Sequence, residues 1–167
     1  MTAVGIEIGW RPVPRRGLFR SRVKDIDLDA SVVLFADRQP VDVVFFRHLV
    51  SDDGSVRHTG DSIVGDTEKI LVDIPRVPLH IDCLVVTLNS FTGESFRNVQ
   101  TVSCRLIDEP TGNGIATCSF TGGHDSTARI LVKLHRTTPE GWSMTTLDAM
   151  ANGRTFQDLM PAILPCL

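Results

Sequence analysis

Tyrosine is missing from this chain and tryptophan occurs only twice, so aromatic side chains amount to 6% of its 167 residues. A sugar-cleaving cleft, which needs aromatic platforms around its carboxylate pair, is correspondingly disfavoured. No G-x-S-x-G elbow, H-E-x-x-H pair or phosphate-cradling P-loop occurs either, so the commonest enzyme signatures are absent and no catalysis is expected. Cysteine is sparse and widely spaced. Cys83, Cys104, Cys118 and Cys166 include no C-x-x-C pair, which argues against a zinc knuckle or a redox dithiol. The first three lie in apolar, strand-favouring runs and are expected as buried thiols, with Cys166 the more exposed one. His48, His80, His124 and His135 have no ligand spacing.

Charge of one sign is not in excess: seventeen basic and twenty acidic residues give a net charge of −3. Nucleic-acid binding needs a basic patch, and the only local excess is Arg11, Arg15, Arg16, Arg20, Arg22 and Lys24. That cluster reads as a solvated loop face, with an anion site or screening of the neighbouring aspartates as alternatives. Apolar runs are all too short for a transmembrane helix, and the N-terminus has neither a basic region nor a long apolar core, so a cytoplasmic location is expected.

What the chain does contain is short strands. Residues 4–10, 28–36, 41–46, 69–74, 83–88, 102–107, 115–120, 128–135 and 142–146 favour strand through alternation or β-branched side chains, and glycine-, proline- and aspartate-rich turns separate them. An all-β sandwich of two sheets forming one domain over residues 1–167 is predicted, with apolar content of 42% sufficient for a substantial core. One convincing helix is terminal, where Thr155 and Asp158 suit its start and Pro161 keeps it short. Residues 89–99 read as a second short helix or an irregular lobe. The phenylalanines at 45, 46, 91 and 96 and both tryptophans read as packing.

The strongest chemical signal is Asp25-Ile26-Asp27-Leu28-Asp29-Ala30-Ser31. In a strand, residues i, i+2 and i+4 share a face, so three carboxylates would crowd together and repel unless a cation sits among them. The alternative is an acidic strand edge that discourages aggregation. An EF-hand is excluded, because Ala30 stands where that loop needs glycine and Ala36 where it needs a bidentate glutamate.

A second motif follows, Gly54-Ser55-Val56-Arg57-His58-Thr59-Gly60-Asp61, and then Gly65-Asp66-Thr67-Glu68 and a strand running into Val77-Pro78. In this order the segments resemble the TerD family of tellurium-resistance and bacterial stress proteins. The resemblance implies a non-enzymatic, calcium-binding β-sandwich that works through protein-protein contacts, with other stress or tellurium-resistance proteins as partners. Carried onto this sequence, it nominates Asp25, Asp27, Asp29, Asp61, Asp66 and Glu68 as metal ligands, supported by His58, Gly60 and Gly65. His58 is read in the turn before Asp61, where a hydrogen bond would fix the acidic loop.

Two features depart from the family pattern. The loop between Asp61 and Glu68 is shorter and carries fewer acids, so one calcium ion is expected, without a second. Arg47 occupies a position where an amide is more usual, and its guanidinium could stand in for the ion. A metal-independent scaffold subunit of a stress-response complex is therefore the alternative reading.

Overall fold

The computed structural model describes residues 2–14, 26–61 and 67–167, so Asp25, Gly65, Asp66 and the basic residues from Arg15 to Lys24 lie outside the described residues. The described residues form ten strands: β1 (Ala3–Pro12), β2 (Asp29–Ala36), β3 (Gln39–Val44), β4 (Val56–Asp61), β5 (Thr67–Asp73), β6 (Cys83–Asn89), β7 (Val99–Asp108), β8 (Asn113–Thr121), β9 (Ala128–Arg136) and β10 (Trp142–Ala151). A single α-helix, α1 (Phe156–Ile163), follows them. One sheet has the order β4-β5-β1-β7-β8 and the other β10-β9-β6-β2-β3, and every pairing is antiparallel.

Strand β1 shows why the first sheet has one wet face. Val4, Ile6, Ile8 and Trp10 are buried, while Glu7 and Arg11 alternate with them on the outer side. Lys69 stands there 2.8 Å from Glu109 and 3.7 Å from Glu7, in partly exposed pairs of the kind that contribute little to stability.

The second sheet is covered on both faces, which explains its unbroken apolar runs. All seven residues of β6 are buried, as are Ala30 to Phe35 of β2. Val32, Leu34, Leu84, Val86 and Val132 pack inward against the first sheet. Val33, Phe35, Val85 and Ile130 face outward beneath Leu159 and Ile163 of α1. The Asp158 carboxylate accepts the backbone N–H groups of Arg154 (2.9 Å) and Thr155 (3.2 Å), and these bonds hold its pKa below the usual carboxylate value. Pro161 interrupts the helix, which ends two residues later.

Two local expectations change and one choice is resolved. Residues 56–61 form β4, so His58 lies in a strand and not in a turn. Strand β10 extends well beyond residue 146, through a register shift at which Asp148 has φ 51°. Of the two alternatives for 89–99 the irregular lobe is found, with a turn closed by the Gly93 N–H on Ser90 O and a 3-10 turn, Phe96–Asn98, whose Arg97 N–H bonds the Ser95 hydroxyl.

The glycine after β8 is structurally required. A Cβ on Gly122 would fall 1.8 Å from the Val99 carbonyl oxygen, on backbone that cannot retreat without breaking the Gly122 N–H bond to Gln100 O. Gly122→Ala is expected to cost about 1–3 kcal/mol or more in urea unfolding. Gly114→Ala, where a Cβ meets open space, should stay within about 0.5 kcal/mol of wild type.

Candidate functional site

Four of the six nominated acids lie within the described residues, and the backbone brings three of these positions, 29, 61 and 68, to one end of the sandwich. Alternation along β5 turns Glu68, Ile70 and Val72 toward the core, leaving the Glu68 side chain only 5% exposed. Its Oε2 accepts the Ala30 N–H at 2.6 Å. Because Ala30 belongs to β2, this bond spans the two sheets and brings Asp29, half-buried at the start of β2, to the same end. Asp61 closes β4 directly opposite Glu68 in the ladder. Asp27 is exposed in the segment leading into β2.

The H-T-G-D segment has a physical reason for its composition. Between His58 and Asp61 the ladder takes three steps on β4 for two on β5, a bulge that Gly60 accommodates at φ +88°. The Gly60 N–H donates to Nδ1 of His58 at 3.0 Å, and Nε2 of the same ring lies 3.2 Å from Glu68 Oε2. A nitrogen that accepts a hydrogen bond carries no proton, so the proton sits on Nε2, which donates to Glu68. His58, 2% exposed, is neutral in this arrangement. The Glu68 carboxylate is thus held by two neutral donors that both reach one oxygen, and no lysine or arginine among the described residues pairs with it.

Arg47 lies just beyond β3, and its guanidinium carbon sits over the rings of Phe46 (5.3 Å) and Phe91 (5.7 Å). With Asp29, Asn89, Phe45, Phe156 and Arg154 it lines a cleft of about 180 Å³ beside the acidic end. Arg47 is therefore close to Asp29, although its charge is engaged by two rings.

A second cluster was not legible in the spacing of histidines alone. His48 Nε2 lies 3.9 Å from Asp42 and 3.7 Å from Asp52 across the turn after β3. Asp42 already accepts the N–H groups of Val43 and Asp52, both at 2.7 Å, so this group clasps the turn. Nearby, burial tends to raise the Asp53 pKa, but bonds from Ser55 N–H (2.6 Å) and the Ser51 hydroxyl (2.9 Å), with the Arg76 charge, outweigh it and hold the group below its usual value. The same bonds shape the turn that delivers β4.

The TerD domain model matches residues 1–161. The chain belongs to the TerD family. Tellurium resistance protein TerZ of Serratia marcescens is 35% identical over 160 residues, covering 91% of this chain and 82% of TerZ. Stress response protein SCP2 of Bacillus subtilis strain 168 is 27% identical over 172 residues, covering 93% and 86%. A crystal structure described as a homologue of the telluride resistance protein TerD, from Streptomyces coelicolor A3(2), superposes with a TM-score of 0.69 at 16% identity, covering 95% of both chains. That structural likeness supports the TerD sandwich. Among the described residues of this TerD-family chain, no helix is long and apolar enough to cross a membrane.

Proposed function

We propose that this protein is a calcium-binding stress-response module without catalytic activity, acting in the cytoplasm through contacts with other stress and tellurium-resistance proteins. The observation that carries the reading is the Glu68 carboxylate, buried at the sandwich end beside the start of β2 and paired with Asp61 in the ladder, where its partners among the described residues are neutral donors. A buried carboxylate is costly unless a countercharge meets it, and oxygen-rich acidic clusters suit calcium. Asp29, Asp61 and Glu68 would hold the ion, with Asp27, Asp25 and Asp66 contributed by the adjoining segments. His58 and Gly60 position Glu68, and the resemblance nominates Gly65 as a further supporting residue.

When bound, calcium supplies a charge that ties the segment before β2 to the β4–β5 connection. Its effect on the fold is linkage: an ion that binds only the folded chain stabilises it as free calcium rises above the dissociation constant. The adjacent phenylalanine-lined cleft, with Arg47 and Arg154 at its edge, suits an acidic partner segment. A metal-independent scaffold is the second reading, and the observation favouring it is that Arg47 lines the same cleft as Asp29.

Calorimetry on chelator-stripped protein separates the two. A saturable signal for about one ion at micromolar calcium, lost in Asp29→Asn, is expected. No heat at millimolar calcium would favour the scaffold, and Arg47→Asn should then lower its stability.

A further inference from the structure

Strands β7 and β8 carry two cysteines in directly opposed register, Cys104 facing Cys118. Such ladder partners have Cα atoms about 4.5–5.5 Å apart, inside the span that a disulfide bridges. Both thiols are free, and the Cys118 thiol reaches toward the Cys104 carbonyl oxygen at 3.6 Å. Their access differs. Cys104 is fully buried in the core, whereas Cys118 is half-buried on β8, the edge strand of its sheet.

The chemical environments differ as well. Hydrogen bonding with the Cys104 thiol, helped by the Thr146 hydroxyl of β10, outweighs partial burial and nearby Asp148 and brings the Cys118 thiol down to about 7. The same contact, with burial, pushes Cys104 upward. Cys83 offers a contrast, since burial pushes its thiol up to about 11. A half-buried thiol on an edge strand that ionises more readily than an ordinary cysteine, with a second thiol directly across the ladder, is the arrangement that two-step thiol oxidation requires.

We propose that Cys118 is a hydroperoxide-reactive thiol and Cys104 its resolving partner, so that oxidation closes a disulfide between β7 and β8. In the first step the Cys118 thiolate attacks the terminal oxygen of a hydroperoxide. The O–O bond breaks, the leaving alkoxide, or hydroxide from hydrogen peroxide, takes up the proton that the Cys118 thiol released on ionising, and Cys118 becomes a sulfenic acid. In the second step Cys104 Sγ attacks the Cys118 sulfur, the S–S bond forms, and the displaced hydroxide departs as water with the Cys104 proton. Two thiols lose two electrons and two protons, and the peroxide is reduced to alcohol and water, or to two waters when it is hydrogen peroxide. The product pins an edge strand to its neighbour.

The test treats the full-length chain, in a Cys166→Ser background that removes the other half-exposed thiol, with hydrogen peroxide. Mass spectrometry is expected to find a loss of about 2 Da and a peptide pair joined through Cys104 and Cys118, formed faster as pH rises through 7. Cys104→Ser should halt Cys118 at a sulfenic acid that dimedone traps, and Cys118→Ser should leave Cys104 reduced. Where Cys104→Ser does not fold, Cys104→Ala serves the same purpose. The proposal is overturned if Cys118 stays reduced, if it proceeds to a sulfinic acid while Cys104 remains a thiol, or if Cys104 oxidises equally well in Cys118→Ser.

Discussion

Glu68→Gln is expected to abolish any calcium-dependent gain in stability while leaving the fold intact, and Glu68→Ala to lower stability by about 2–6 kcal/mol with or without calcium. The contrast comes from the two bonds that meet at Oε2. A glutamine oxygen can still accept the Ala30 N–H and the His58 Nε2–H, so the link between the sheets survives. Alanine leaves both donors buried without a partner, at about 1–3 kcal/mol each. Removing only the charge has the opposite consequence in metal-free protein. Since neutral His58 does not compensate the carboxylate, stripped Glu68→Gln should unfold at the same urea concentration as wild type or higher. Adding calcium should then stabilise wild type alone, by about 2.7 kcal/mol at a hundredfold excess over its dissociation constant. Were stripped Glu68→Gln as unstable as Glu68→Ala, the fold itself would need the charge, and the calcium reading would fail.

The sandwich was legible because alternation and continuous apolar runs report burial on one face or two. Val4, Ile6, Ile8 and Trp10 declare a strand wet on one side, while Val32 to Phe35 declare one buried on both. β4 was hidden by its own glycine. Gly60 reads as a turn residue, yet it serves a bulge inside a strand, and the bulge is what sets Asp61 opposite Glu68. The acids were nominated by type and order alone, and His58 hydrogen-bonds Glu68 from within a strand. What spacing could not convey is the cross-sheet bond from Ala30, because it depends on how two sheets meet at their ends. The pairing of Cys104 with Cys118 was equally illegible, since it follows from the register that the β7–β8 turn selects. Cys118 packs against the core yet stays half-buried, and local composition does not distinguish the edge strand β8 from a central one.

Asp148→Asn is expected to destabilise the chain more than Arg129→Met does, even though Asp148 is the more exposed member of the pair. Arg129 sits in β9 at 3% exposure, an isolated cation within an apolar run. Its Nε lies 2.6 Å from Asp148 Oδ1, its Nη2 bonds the same oxygen, and its Nη1 donates to Thr121 O at 2.5 Å. Thr121 ends β8 in the opposite sheet, and the guanidinium carbon lies 5.0 Å from the Phe120 ring centre, so this side chain joins the two sheets along an edge. Neutralising Asp148 leaves a buried guanidinium without its countercharge. Breaking such a pair costs about 3–5 kcal/mol when both groups are buried, and the 48% exposure of the Asp148 side chain reduces this to about 2–3. Methionine at 129 instead removes the buried charge and fills much of the same volume, while Asp148 turns to water, so a loss of about 1–2 kcal/mol is expected. Asparagine is the appropriate replacement at 148 because φ is 51° there, a conformation that it tolerates better than alanine does. In urea unfolding, the double variant should be no less stable than Asp148→Asn alone, since methionine removes the charge that the first change left stranded. The reverse order of the single variants would mean that Arg129 acts mainly through packing on Phe120 and its bond to Thr121, with Asp148 contributing little.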